Sequence, residues 1–588
     1  MRPTHLSALS AIVIILASSA LIASANTNPP GVSEEGAAPE LVVMPFRGIS
    51  QPVRALPPDD VGGGPKRWLG SLENENDQLG SILDKRGIRY GTGTSKVDDR
   101  LVSRSRTDGE PMAPDPILDF DGLSSIINGP PDTEGAVGPD HYVQFVNIQF
   151  RIFDKTGAPL IDPVATNSLW AGSGSTCEGD LYADPIVMYD EPADRWVITY
   201  IALEIGSGFV ACVAVSTGGD PTGEYYLYEL VTTLIPDYPK LGVWPDPVHN
   251  AYVMGTMPIP DPQGKHDVYA LDRERLLMGA EPRPAQRFNG FPNMMMPADV
   301  DGPVPPPGSP ALLYTFRDGG ESFFMPPSPV DSLDVYELSI DWGSPAESRL
   351  VLAQSFTPPE LAEFNWTVCG WNNPDCLSQP QTTQKLDSIS WIPMQRLQYR
   401  KLGAYETLVG VWTVNAVAVG AHAAPRWFEL RRYGGGNWQI AHQGTFAPDS
   451  SHRWMASVAL DGSGNMALGY NVMNAGSGIF PSLCYTVRSV DSPDFVGERT
   501  LATGTGFQTD INRWGDYASM EVDPTDGCTF WFTGEYMKTT GPGTWNTRVG
   551  AFRHPDCTGT LIFFDGFESG NTDGWSVAMP EALPDLRK

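Results

Sequence analysis

One hairpin pattern recurs along most of this chain. Its clearest copy is NRWGDYASMEVDPTDGCTFWFTGEY, residues 512–536: an apolar strand, a tight Asp-Pro turn, and a second strand running back. Related turns follow apolar strands in VGPDH (137–141), MYDEPADRW (188–196), VWPDPVHNAY (243–252) and ALDGSGN (459–465). Side chains alternate with period two through YVQFVNIQF (142–150), as in a half-buried strand. Helix-length amphipathic runs are scarce.

The pattern divides the chain into units at 116–157, 183–230, 238–277, 296–342, 386–446, 452–501 and 512–557. Internal echoes support the division. DVYAL (267–271), DVYEL (334–338) and RWFEL (426–430) hold the same place in three units. A spacing of roughly 40–90 residues suits a four-stranded blade with variable loops. The expectation is an all-β fold, a single β-propeller of about seven four-stranded blades, with six or eight also allowed. Blades bury their faces against neighbours, and ring closure leaves few free edges. Two packed β-sandwiches are the alternative, but they need no repeat. With 61 Gly, 54 Pro and 10% aromatic residues, the composition fits many short strands and tight turns.

The ends read differently. Residues 1–25 have a basic start at Arg2, an apolar run and Ala23-Ser24-Ala25, the pattern of a secretory signal peptide. A retained anchor is the second reading. Residues 26–115 are rich in Pro, Gly and charge and read as a flexible leader, with a removable pro-segment as an option. The propeller is placed at 116–560. The tail 561–588 carries DGFESG and looks like the short tails at the C-termini of many exported bacterial proteins. It reads as a sorting tag or as a last strand.

A net charge of −31 over 588 residues argues against nucleic acid, whose phosphates need Lys and Arg. Export makes disulfides reasonable for the seven cysteines. Cys177 and Cys212, Cys369 and Cys376, and Cys528 and Cys557 are the candidate pairs, leaving Cys484. No Cys/His cluster has zinc spacing. No Gly-x-Ser-x-Gly elbow appears, and Gly434-Gly435-Gly436 reads as a hairpin turn. DFDG (119–122) and DVDG (299–302) do not continue into a twelve-residue calcium loop. Met294-Met295-Met296 reads as core filling.

The first strands can be aligned on the Asp or Pro that starts each turn. Six residues back stand Glu134, Asp184, Lys240 and Asp387, and in the last two units Met455 and Tyr517. One place further back are Trp454 and Asp516, and Asp299 lies nearby in the fourth unit. In a propeller these positions face the channel mouth. Three readings follow. Converging carboxylates at Glu134, Asp184 and Asp516 suit calcium. Asp and Glu with Trp454, Trp514 and Tyr517 suit a glycan, and two carboxylates of suitable spacing would cleave one. The third reading is structural, with the carboxylates accepting backbone N–H bonds at strand ends and Arg453 and Arg513 as their partners.

PPDTEGAVGPDHYVQFVN, DPIVMYDEPADRWVI and RWGDYASMEVDP together resemble a widespread group of secreted bacterial proteins of unassigned function, over about 130–557. More remotely, the chain resembles the sialidase-like propeller superfamily. That resemblance implies an exported propeller and brings no catalytic residue with it, because no good copy of the Asp-box Ser-x-Asp-x-Gly-x-Thr-Trp is present. Ser216…Asp220…Gly223 and Ser489…Asp494…Gly497 fill similar turns with different spacing. The functional expectation is a secreted or surface-held monomer binding an extracellular glycan or protein at one channel mouth. The alternatives are a glycoside hydrolase or lyase using paired carboxylates, and a structural surface protein.

Overall fold

The computed structural model describes residues 36–59, 99–103, 111–125, 129–179, 182–204, 208–259, 265–319, 330–369 and 375–558. The expected signal peptide and C-terminal tail lie outside these. Nearly all regular structure is β, and among the described residues it falls into seven antiparallel meanders. Their first strands are Glu134–Val137, Tyr182–Asp190, Ile235–Trp244, Met296–Asp301, Leu397–Leu402, His452–Leu460 and Ser519–Val522. The expected units overlap these meanders except at two boundaries, where 118–124 pairs in the seventh and 386–387 lies in a separate hairpin. The three echoes do share a position: each lies in a third strand. The Asp-Pro turn of the opening hairpin forms as read, with Asp523 accepting from the Thr525 and Gly527 N–H groups.

Each first strand packs beside the first strand of the next meander, and that of the seventh packs beside that of the first. Among the described residues only the fourth and fifth are joined by a backbone ladder, a parallel pairing of Ala298 with Leu397 through Asp301 with Arg400. Between the other first strands the bridges are side-chain hydrogen bonds, and the sixth and seventh meanders also share backbone bonds such as Gly462 N–H to the Gly527 carbonyl. Asn147 accepts from the Asp184 N–H at 2.8 Å, and Asp184 from the Tyr238 N–H at 2.9 Å. Asp299 accepts from the Val243 N–H at 3.1 Å. Gln398 both donates to and accepts from the Leu460 backbone. Ser457 accepts from the Met520 N–H at 2.9 Å, and Ser519 donates to the Gly135 carbonyl at 2.7 Å. All are buried, where an unmade bond costs the full desolvation of its partner.

The early segment departs from expectation. Strand β1 (Glu40–Val42) adds a fifth strand to the third meander, and β2 (Phe46–Ile49) does so for the second. Residues 36–59 are therefore not a flexible leader: their backbone groups complete two sheet edges. Strand β3 (Leu118–Ser124) supplies the outer strand of the seventh meander, whose other three strands come from the far end of the described chain. All three candidate disulfides form, and Cys484 is a buried free thiol. Met294, Met295 and Met296 are core residues. Among the described residues no helix is long and apolar enough to cross a membrane.

A long insertion separates the fourth and fifth meanders. It carries the Cys369–Cys376 disulfide and a small hairpin, Asp375–Ser378 with Lys385–Asp387. Its Leu377, Leu386, Ile389, Ile392 and Met394 share one apolar core with Tyr238, Trp454, Met455, Trp514 and Tyr517. The insertion thus packs onto the N-terminal ends of the first strands.

Candidate functional site

Four of the first strands enter through a backbone irregularity. Asp132, Asp184, Tyr238 and Met455 all have positive φ, between 46° and 55°. The ladder shifts register beside three of them, between Ala183 and Ile186, Asp237 and Lys240, and Trp454 and Ser457. Such a bulge re-aims one side chain per strand. Alignment by turn spacing therefore finds Asp184 but lands two residues late in two units. The residues matching Asp184 are Asp132 and Tyr238, with Glu134 and Lys240 one step deeper.

The ten predicted residues separate into four places. Glu134, Asp184, Lys240 and Tyr517 meet in the buried channel. Lys240 is wholly buried, and its ammonium lies 3.7 Å from the Tyr238 ring centroid and 3.6 Å from that of Tyr517. A cation between two aromatic faces is stabilised by both. Burial lowers its pKa against the attraction of Asp184, Glu134, Asp516 and Asp132. Burial pushes the Glu134 carboxyl up to about 8, against the pull of Lys240. The three carboxyls expected to hold calcium thus surround a resident cation, Lys240, whose charge each of them favours. Tyr517 is not a stacking face: it is buried, and its hydroxyl donates to the Pro185 carbonyl at 2.8 Å.

Asp299 belongs to a second cluster further along the channel. The Arg396 guanidinium pairs with both Asp299 and Asp301, and its Nε lies 3.4 Å from Glu521. The three carboxylates are close enough together to hold a metal ion. Arg396 stands among them, so a cation would have to displace a guanidinium already charge-paired there. Asp301 was legible from period two after Asp299; Arg396 was not, because the insertion hides the start of the fifth first strand.

Arg453 and Trp454 lie apart from both. Arg453 is buried between Asp449 and Glu498, an ion pair within its own meander. Trp454 is buried and packs on Trp514 with centroids 5.7 Å apart, so it offers no ligand a face.

The last group does come together near solvent. Asp387 is not at a first-strand entrance, as the unit boundary implied; it ends the insertion hairpin. Arg513 donates to Asp387 at 2.9 Å and to Asp516 at 2.6 Å. The Trp514 N–H donates to the other Asp387 oxygen at 3.1 Å. Burial pushes the Asp387 carboxyl up to about 7, against the pull of Arg513. The Arg513 side chain keeps 21% exposure, whereas Asp387 keeps 5%. Asp516 reaches back inward, since its N–H donates to Asp132 at 2.8 Å. Of this trio Arg513 is the most exposed, with Asp516 at 11%.

No protein-family model matches the sequence, and no curated protein matches it. Among solved structures, the chain is similar to a Penicillium chrysogenum α-L-arabinanase complexed with arabinobiose, at 10% identity and TM-score 0.32, covering 63% of this chain and 93% of that one. It is also similar to an exo-β-1,3-galactanase from Clostridium thermocellum, at 10% identity and TM-score 0.28, covering 65% and 96%. A protein of unknown function from Dyadobacter fermentans aligns at 12% identity and TM-score 0.26, covering 63% and 95%.

Proposed function

We propose that this chain is an exported β-propeller of seven blades, closed by β3 in the last blade, that binds an extracellular glycan at the channel rim formed by Asp387, Arg513 and Asp516. The observation that carries this reading is the Arg513 guanidinium, which bridges two carboxylates while remaining partly open to solvent. Planar acceptor and donor groups held rigidly side by side suit a pair of neighbouring sugar hydroxyls. The buried cluster of Glu134, Asp184 and Lys240 supports that rim and does not touch ligand. Three disulfides favour an oxidising compartment.

Binding is favoured over cleavage because both Asp387 oxygens are engaged. An acid that must break a bond to Arg513 or to the Trp514 N–H before donating its proton is poorly placed. One observation favours the second reading, a glycoside hydrolase. Asp387 holds its proton near neutrality beside Asp516, which Arg513 pairs, and a carboxyl pair in unlike environments is how glycosidases divide acid from base.

The test is retention and product release on a polysaccharide panel, for wild type, Arg513→Ala and Asp516→Asn. Retention lost in both variants without product supports binding. Product formation lost in Asp516→Asn would replace this reading with the hydrolase. Equal retention by all three would remove the rim from the site.

A further inference from the structure

A groove of about 620 Å³ lies at the opposite ends of the first strands, between the third and fourth meanders. One wall is the turn 247–250; the other is the turn that begins at Ser339 and includes Trp342 and Glu347. Both walls are preset. Buried Asp246 accepts from the Val248 and His249 N–H groups at 2.9 and 2.8 Å and from Gly308 at 2.7 Å. Asp341 accepts from the Gly343 and Ser344 N–H groups at 2.8 and 2.7 Å. The walls are also tied to each other. Trp342 Nε1 donates to the Asn250 carbonyl at 3.0 Å, and the Ile340 N–H donates to His249 Nδ1 at 3.0 Å. His249 Nδ1 is also 3.0 Å from the Ile340 carbonyl, so either tautomer of the imidazole bonds to Ile340. A site built in advance spares a ligand the cost of ordering it.

The lining has a definite chemistry. The Trp342 indole supplies an aromatic plane, and Arg283 stacks on it with its guanidinium carbon 5.0 Å from the ring centroid. Arg283 is satisfied by Asp272 at 2.6 Å and Glu274 at 3.0 Å, so it does not call for an anion. Glu347 stands exposed at the lip and offers acceptors. An aromatic plane bordered by donors and acceptors, in a lining where Asp341 and Glu347 disfavour anions, matches a neutral pyranose: C–H groups on the face, hydroxyls on the edge. The volume suits one to three sugar rings.

We propose that this groove is a second carbohydrate site, taking a neutral oligosaccharide stacked on Trp342 and hydrogen-bonded by His249 and Glu347. It stands on the groove alone and does not depend on the channel rim. The experiment is titration of cellohexaose, xylohexaose and maltohexaose into the full chain, for wild type, Trp342→Ala, Glu347→Trp and Arg513→Ala. The expected result is binding of at least one hexaose, weakened about tenfold or more by Trp342→Ala. Glu347→Trp, a change at an exposed lip, should block the groove without touching the fold. Arg513→Ala should retain groove binding even if the rim reading fails. No hexaose binding at millimolar concentration, or binding unchanged in Glu347→Trp, overturns the proposal. So does binding of spermine in place of sugar, abolished by Glu347→Gln.

Discussion

The Ser519 hydroxyl donates a 2.7 Å hydrogen bond to the Gly135 carbonyl across 384 residues of sequence. No backbone ladder joins these two strands, so this one side chain satisfies a buried acceptor at the junction of the seventh and first meanders. Ser519→Ala should therefore lower stability by roughly 1–2 kcal/mol. Ser457→Ala, which orphans the Met520 N–H, should cost a similar amount. Urea unfolding measures both as a lower midpoint at unchanged slope. Two unchanged midpoints would mean the junctions are held by packing alone.

Removing residues 36–59 should expose the outer edges of the second and third meanders, now covered by β2 and β1. Unpaired edges template association with other chains. The truncated protein should self-associate in size-exclusion chromatography while keeping its β-type circular dichroism. A monomeric elution profile would show that these edges need no cover.

Stability should fall as pH rises from about 6.5 to 8. Glu134 keeps its proton in the folded state up to about 8 but releases it near 4.5 when unfolded; Asp387 behaves likewise up to about 7 against 3.8. In that window the folded chain binds more protons than the unfolded one, so stability declines with pH. His452, pushed down to about 4 by burial, acts oppositely, with stability gained as pH rises from 4 to 6.5, which places the clean window above it. Glu134→Gln should flatten the slope and raise stability at pH 8 by about 1–2 kcal/mol. Melting curves at a series of pH values test this, and parallel profiles for the two proteins would exclude Glu134 as the source.

Cys484 is buried, and burial pushes its thiol up to about 12. A thiol reagent at pH 8 should leave the native protein unlabelled and add one label per chain after unfolding without reductant. Native labelling would mean the sixth meander opens locally. Replacing Cys177 and Cys212 by Ser should cost roughly 3–4 kcal/mol, the loop-closure value for this span. Calorimetry measures the loss.

Much of the fold is legible because its determinants are local. Asp-Pro turns such as Asp523-Pro524 and the repeated DVYAL and DVYEL each act within a few residues, whereas 142–150, expected as one half-buried strand, is a wholly buried hairpin that turns at Asn147-Ile148. The turns and repeats outline the meanders, and the three candidate cysteine pairs form in the structure. The register at strand entrances was not legible. A left-handed Asp132 or Tyr238 shifts the ladder by an amount that turn spacing does not record. The two late positions, Glu134 and Lys240, follow from that.

The sequence by itself determined most of the strands after residue 116 and that carboxylates stand near the start of several first strands, but not the edge strands β1 and β2. Only the tertiary structure decided which of those carboxylates meet solvent. Glu134 and Asp184 are sealed around Lys240 because the insertion between the fourth and fifth meanders packs onto their end of the channel. Asp387 reaches Arg513 across 126 residues for the same reason. Burial and charge pairing depend on parts of the chain far away in sequence, and a repeat read one unit at a time does not contain them.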